Sequence, residues 1–303
     1  MPREARRKTN ESIYHIMVRS IKEINLFSDS EDKMKYFQLI KQNKIKFNFK
    51  VYAYCLMDNH GHLIIDANGA DISTIMHSIN FCYARYYNLK HDRYGHVFQD
   101  RFKSKIVDTE AYMIRLSAYI HNNAKDIPGY KNNIINYKYS SLKNYIENSL
   151  DEFEILDKTF LTNVMGLYND KCKDKYIDLV NESDSIKEDQ EEFDVEFSMS
   201  HAEYRSERKI LARNYSANKI INYIISYTNE NKKQIYIKYS RTAKETRALC
   251  AFFMRCFCNF TQKEICNVIG NVTGARVSEL CKIGYELVLN NFKYNKMFDN
   301  FIV

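Results

Sequence analysis

The sequence predicts an α+β fold, an antiparallel sheet carrying helices followed by an all-helical region. Three observations lead there. Short segments with period-two alternation or β-branched and aromatic content recur between residues 12 and 107, separated by longer stretches with helical spacing. From residue 201 onward strand alternation disappears and only helical spacing remains. Between the two, residues 182–196 (ESDSIKEDQEEFDVE) are dominated by acidic side chains, the composition of a mobile linker rather than of a packed element.

Each element has its own signal. Residues 12–19 (SIYHIMVR) alternate and read as a strand. Residues 29–46 set Tyr36, Phe37, Leu39 and Ile40 among charges, an amphipathic helix. Residues 49–57 (FKVYAYCLM) are a strand by residue type, Asp58-Asn59 a turn, and residues 60–66 (HGHLIID) the returning strand. Residues 71–90 are helical in spacing, 91–100 a loop, and 101–107 a fourth strand. Asp108 suits an N-cap, with Glu110 beside the positive end of the helix dipole, for a helix reaching about Asn123. Pro128-Gly129 stops anything further. The order β-α-β-β-α-β-α is that of a ferredoxin-like arrangement. It places a first domain at residues 1–150, a helix (160–180) plus the acidic linker within 151–200, and a helical domain at 201–303.

Charge divides the chain in the same way. The net charge of +7 is the balance of +8 over residues 1–150, −10 over 151–200 and +9 over 201–303. Two basic modules suit a polyanion, of which nucleic acid is the commonest, although charge alone favours ordinary solvated surface. No run of about eighteen apolar residues exists, so no membrane helix is expected. The basic segment of residues 1–10 has no apolar core and does not read as a secretory signal. The eight cysteines form neither a CxxC pair nor a Cys/His zinc spacing, which fits reduced thiols packed as small hydrophobes. These features point to the cytoplasm.

His60 and His62 stand two apart on a predicted strand, where i and i+2 share a face, so their imidazoles can grip one divalent cation. A lone HxH is a weak signal, and its context makes it specific. Residues 57–65 (MDNHGHLII) resemble the His-hydrophobe-His segment of HUH transposases. Residues 95–104 (GHVFQDRFKS) resemble their G-H-x-[FW]-Q-x-R-F-K-S stretch, and residues 119–123 (YIHNN) their Y-I-H-x-N segment. The three occur in the right order, over about residues 10–145. They are similar to the single-tyrosine branch that includes the REP-associated tyrosine transposases.

The resemblance implies a role for each matching residue. His60, His62 and Asn123 would bind a divalent metal, Mg²⁺ or Mn²⁺, and Tyr119 would be the nucleophile. Helical geometry agrees, since Tyr119 and Asn123 are four apart and share a face. A tyrosine hydroxyl, with an ordinary pKa of about 10, is a weak nucleophile unless activated. Its attack on a phosphodiester would give a phosphotyrosine and a free 3′-OH. A second 3′-OH could then displace the tyrosine and join strands without ATP. The implied substrate is single-stranded DNA near hairpins at the ends of an element. The implied assembly is either a monomer or a homodimer exchanging the tyrosine helix. Two departures stand out: Gly61 replaces the intervening hydrophobe, expected to loosen the strand, and Ala124 follows the Asn where many relatives have Pro.

Arg101, Lys103 and Lys105 alternate along one strand face, which suits either a stripe tracking phosphates or an edge protected by lysines. Tyr83, Tyr86 and Tyr87 could stack unpaired bases or simply pack in the core. His96 and Gln99 are expected to support the site or the DNA path without binding metal. In the last region, Thr261-Gln262-Lys263-Glu264 is a capping box opening a short helix, 270–274 a turn, and 276–289 a second helix bearing Arg276 and Lys282. This is the helix-turn-helix pattern, and it resembles the DnaA C-terminal-like module that follows some of these transposase domains. A purely structural αα-hairpin has the same pattern. Two other functions stay open: a domesticated hairpin-DNA-binding protein that no longer moves DNA, and a metallohydrolase that uses HxH without Tyr119.

Overall fold

The computed structural model describes residues 12–183, 210–237 and 243–302. The basic N-terminal segment and nearly all of the acidic 182–196 stretch lie outside the described residues. The chain forms two compact units, the first dominated by residues 12–183 and the second by residues 210–302.

The first unit contains β1 (Ile13–Arg19), α1 (Ser30–Phe47), β2 (Lys50–Leu56), β3 (His60–Asp66), α2 (Ile72–Lys90), β4 (Lys103–Val107) and α3 (Glu110–Asn122). Three shorter helices follow: α4 (Leu142–Ile146), α5 (Lys158–Met165) and α6 (Asp170–Glu182). The sheet order is β2-β3-β1-β4, antiparallel throughout, which is the ferredoxin-like order the sequence predicts. Register decides which side chains share a face. His15 lies opposite Ile64 and Lys105, and Met17 opposite His62 and Lys103. One face therefore carries His15, His60, His62 and Ile64, and α3 covers it, with Met113, Leu116, Tyr119 and Ile120 packed against Ala53, Cys55 and Ile64. The other face carries Tyr54 and packs on Phe37 of α1.

Several predicted boundaries shift for local reasons. The N-cap of α3 is Thr109 rather than Asp108, because its side chain is the one that accepts the Tyr112 N–H at 3.1 Å. The fourth strand starts at Lys103 rather than Arg101. Before it, the 97–99 segment runs along the end of β1, with Ile21 N–H donating to Val97 O at 3.1 Å and Gln99 N–H to Arg19 O at 2.9 Å. The single helix expected over 160–180 is two helices, since Gly166 adopts φ +64° and closes α5. Both α5 and α6 pack on the α3 side of the sheet through Leu161, Leu167, Tyr176 and Val180, so the first unit continues past residue 150.

The second unit is wholly helical in its regular elements: α7 (Ala217–Thr228), α8 (Lys244–Phe257), α9 (Gln262–Ile269), α10 (Gly274–Asn290) and α11 (Phe292–Ile302). From Thr246 to Phe257 every residue of α8 is buried, so the other helices wrap around it. Phe253 and Phe257 of α8 meet Phe298 and Phe301 of α11, with ring centroids 4.6–5.8 Å apart. Two arginines inside α8 satisfy part of their guanidinium groups on backbone carbonyls, Arg247 on Ile237 and Arg255 on Phe260. The α9–α10 pair begins with the predicted capping box at Thr261 and turns at Gly270 (φ +67°) and Asn271 (φ +50°). No helix among the described residues is long and apolar enough to cross a membrane.

Candidate active site on the α3 face of the sheet

The β2–β3 hairpin delivers the two histidines. Met57 N–H donates to His60 O at 2.9 Å and closes the turn at Asp58-Asn59. Lys33 of α1 braces that turn with an ion pair to Asp58 at 2.8 Å. Gly61, between the histidines, points to the opposite face. A Cβ there would lie 2.6 Å from Leu56 Cδ2 and within 3.6 Å of Val18 and Phe27, so glycine admits close packing beneath the site. The loosened strand expected of a glycine is thus set against tight apolar contact.

His60 is half-buried and His62 fully buried, with ring centroids 5.2 Å apart. Tyr119 sets its ring against the His62 ring at 5.6 Å and 80°, an edge-to-face contact, and is 2% exposed. Asn123 sits one turn later as the C-cap of α3, where its Nδ2 donates to the Tyr119 carbonyl at 2.7 Å. The structure therefore brings His60, His62 and Tyr119 onto one spot, with Asn123 beside Tyr119 and its amide nitrogen turned back onto the helix.

Two imidazoles with an amide nearby are the residues that could hold a divalent cation; among the described residues no group of three or more His, Cys, Asp or Glu is placed to do so. His62 Nδ1 is engaged by His15 Nε2 at 2.9 Å, and His60 Nδ1 by Asn59 Oδ1 at 2.6 Å. An imidazole whose Nδ1 is held by a neighbour is the arrangement a metal-binding histidine uses. Burial holds His62 well below the ordinary histidine pKa, with the neighbouring His15 and His60 adding to it, so the ring is neutral and able to coordinate.

A second set of residues fixes α3. His121 is fully buried, with Nδ1 on the Tyr176 hydroxyl at 2.8 Å and Nε2 on Ser141 Oγ at 2.7 Å. Tyr176 donates onward to Ser117 Oγ at 2.8 Å, and Ser117 to Ile114 O. Ser141 Oγ accepts the Tyr54 N–H of β2 at 3.0 Å. The histidine of the YIHNN segment is thus a structural link from β2 through α3 to α6.

Sequence reasoning missed three of these residues. His15 was visible only as a polar residue on a face of β1 otherwise dominated by apolar ones. Ser141 and Tyr176 carry no signal of their own.

Burial drives His15 and His121 down to about 3 and His62 in the same direction, with Lys105 adding to the effect on His15. An unfolded chain protonates these rings near pH 6.5. Folded-state values lie below unfolded ones, so their stability contribution is complete above about pH 6.5 and is lost progressively as pH falls toward 3. The loss is up to roughly 1.4 kcal/mol per pH unit for each ring. The urea midpoint of the first unit is expected to drop between pH 7 and pH 5, before most carboxylates titrate. A midpoint flat over that interval would contradict the buried, neutral assignment.

The remaining predicted contacts divide. Lys103 and Lys105 lie on the face that carries His15 and His62, and Lys105 Nζ sits 5.1 Å from the Tyr112 ring centroid. Arg101 is exposed just ahead of the strand, its carbonyl accepting from Asn80 at 2.9 Å. Tyr83 and Tyr87 are core residues, with hydroxyls bonded to Leu26 O and Asn25 O, so neither is available to stack a base. Tyr86 is half-buried. In α10, Arg276 pairs with Glu279 at 2.6 Å, and exposed Lys282 lies 3.8 Å from Glu286, so each basic side chain has a carboxylate on its own helix.

No curated protein matches this chain. Among solved structures, a REP-associated tyrosine transposase bound to a REP hairpin is similar at 17% identity and a TM-score of 0.41, over 52% of this chain and 96% of that one. The family model described as "Transposase IS200 like" matches residues 8–123, a span that contains the whole sheet and His60, His62 and Tyr119 and ends on Asn123. Over residues 8–123, this chain is similar to the IS200-like transposase family.

Proposed function

We propose that the protein cleaves and rejoins single-stranded DNA through a covalent phosphotyrosine on Tyr119, at hairpin-bearing ends of an element. The observation that carries this reading is the edge-to-face contact of Tyr119 on His62, with His60 on the same strand face. In the proposed reaction Tyr119 Oη attacks a backbone phosphorus and loses its proton. The P–O3′ bond breaks, and one strand leaves with a 3′-OH. A second 3′-OH then attacks the phosphotyrosine, releasing Tyr119 and joining strands. His60, His62 and the Asn123 amide oxygen would hold Mg²⁺ or Mn²⁺, which when bound offsets charge developing on the phosphate. Lys103 and Lys105 would carry the DNA backbone toward the site, with Arg101 extending the basic path. Arg276 and Lys282 would give the second unit a separate DNA contact as a helix-turn-helix.

The test uses the full chain with end-labelled single strands from the flanks of its gene, with Mg²⁺ or Mn²⁺ and with chelator. A covalent band lost with chelator is expected, together with a nucleotide-bearing peptide that maps to Tyr119. An adduct on another residue would overturn the assignment. A second reading, a hairpin-binding protein that no longer cuts, is favoured by the burial of Tyr119 and by the Asn123 amide nitrogen committed to its own helix. Tight binding with no adduct in either metal would select it.

A further inference from the structure

His15 and His62 meet in an unusual way for two buried histidines. Their Nε2 and Nδ1 atoms are 2.9 Å apart, the ring centroids 5.1 Å apart, and the planes inclined by 22°. Those three values describe two nearly coplanar rings joined edge to edge, the geometry of an imidazole–imidazole hydrogen bond. At 3% and 2% exposure no water competes for it. The pairing is built by register: His15 on β1 faces Ile64 of β3, and His62 is two residues away on the same face, the diagonal neighbour.

Such a bond has two proton arrangements, and they differ in consequence. If His15 Nε2–H donates, His62 accepts at Nδ1 and carries its own proton on Nε2, where no lone pair remains. If His62 Nδ1–H donates, His15 accepts at Nε2, and the lone pair of His62 Nε2 is left for a cation. We propose that His15 is a positioning residue that accepts the His62 Nδ1 proton and thereby fixes the tautomer and ring orientation that present Nε2 to the metal. The proposal rests on the reading of His62 as a metal ligand.

Two measurements test it, neither of which needs DNA cleavage. In the metal-free full chain with ¹⁵N-labelled histidine, two-bond ¹⁵N–¹H spectra should show His62 protonated on Nδ1, and an Nε2-protonated His62 overturns the proposal. Mn²⁺ affinity should fall about 10–100-fold in His15→Phe, which keeps a ring but cannot accept. In His15→Gln the amide oxygen reaches the position of Nε2, and affinity should stay within about threefold of the parent. Unchanged Mn²⁺ binding in a folded His15→Phe, with binding lost in His62→Ala, overturns the role of His15 alone. Equal loss in Gln and Phe variants also overturns it, since the acceptor would then not be what matters. Mn²⁺ binding unaffected by His62→Ala overturns the parent reading as well.

Discussion

In Tyr119→Phe the covalent protein–DNA adduct is expected to fall at least about a thousandfold, below detection, while hairpin binding changes by no more than about threefold. The expectation is sharp because the substitution removes one oxygen and leaves the rest of the contact. The ring against His62 is preserved, and so is the buried volume. Loss of one hydroxyl interaction costs about 1 kcal/mol, well within what a folded unit tolerates. A thermal melt and a gel-shift titration alongside the adduct assay separate chemistry from folding and binding. An adduct that persists in Tyr119→Phe would place the nucleophile elsewhere, whatever the family pattern implies.

The second large effect lies far from the chemistry. Gly284→Val is expected to destabilise the second unit by about 3 kcal/mol, lowering the melting transition of that unit by more than about 10 °C. A Cβ at Gly284 would fall 2.3 Å from the Ala248 carbonyl oxygen, 2.8 Å from its carbon and 2.8 Å from Phe252 Cβ. All three belong to α8, a helix with no exposed side to retreat toward. The obstruction is backbone, so no rotamer change relieves it, and α10 must move off its neighbour. Glycine inside a helix costs about 1 kcal/mol relative to alanine, and here the close helix crossing offsets that cost. Differential scanning calorimetry of the full chain checks it. A second-unit transition within about 2 °C of the parent would show that the two helices do not cross so closely.

The parts of this protein that depend on short-range pattern were readable, and those that depend on pairing were not. β3 was legible to the residue because a turn dipeptide, an HxH and an apolar run bound it on both sides. The capping box at Thr261 was legible because its four residues carry the whole interaction. The joint placement of His60, His62 and Tyr119 came through motif order. By contrast, the partnership of His15 with His62 exists only once β1 and β3 adopt their register, 47 residues apart in sequence. Tyr176 reaches His121 across 55 residues from a helix of ordinary composition. The N-cap shifted by one residue because Asp108 and Thr109 are both good caps, and the competition is settled by backbone geometry that pattern does not encode. Whether Tyr83 and Tyr87 stack bases or pack in the core stayed open in the sequence, because helical spacing gives a face but not what covers it.

The chain of bonds through His121 joins sheet and helix without a break. Ser141 Oγ accepts from the Tyr54 amide and also lies 3.4 Å from the Tyr54 carbonyl, while the two His121 nitrogens meet Ser141 Oγ and the Tyr176 hydroxyl. Tyr176 passes its proton to Ser117, and Ser117 to the Ile114 carbonyl. The helix that bears Tyr119 is consequently moored to the sheet by buried polar partners whose geometry, unlike that of apolar packing, is directional. A change at one member, even as slight as Tyr176→Phe, removes a partner from His121 and from Ser117 at once.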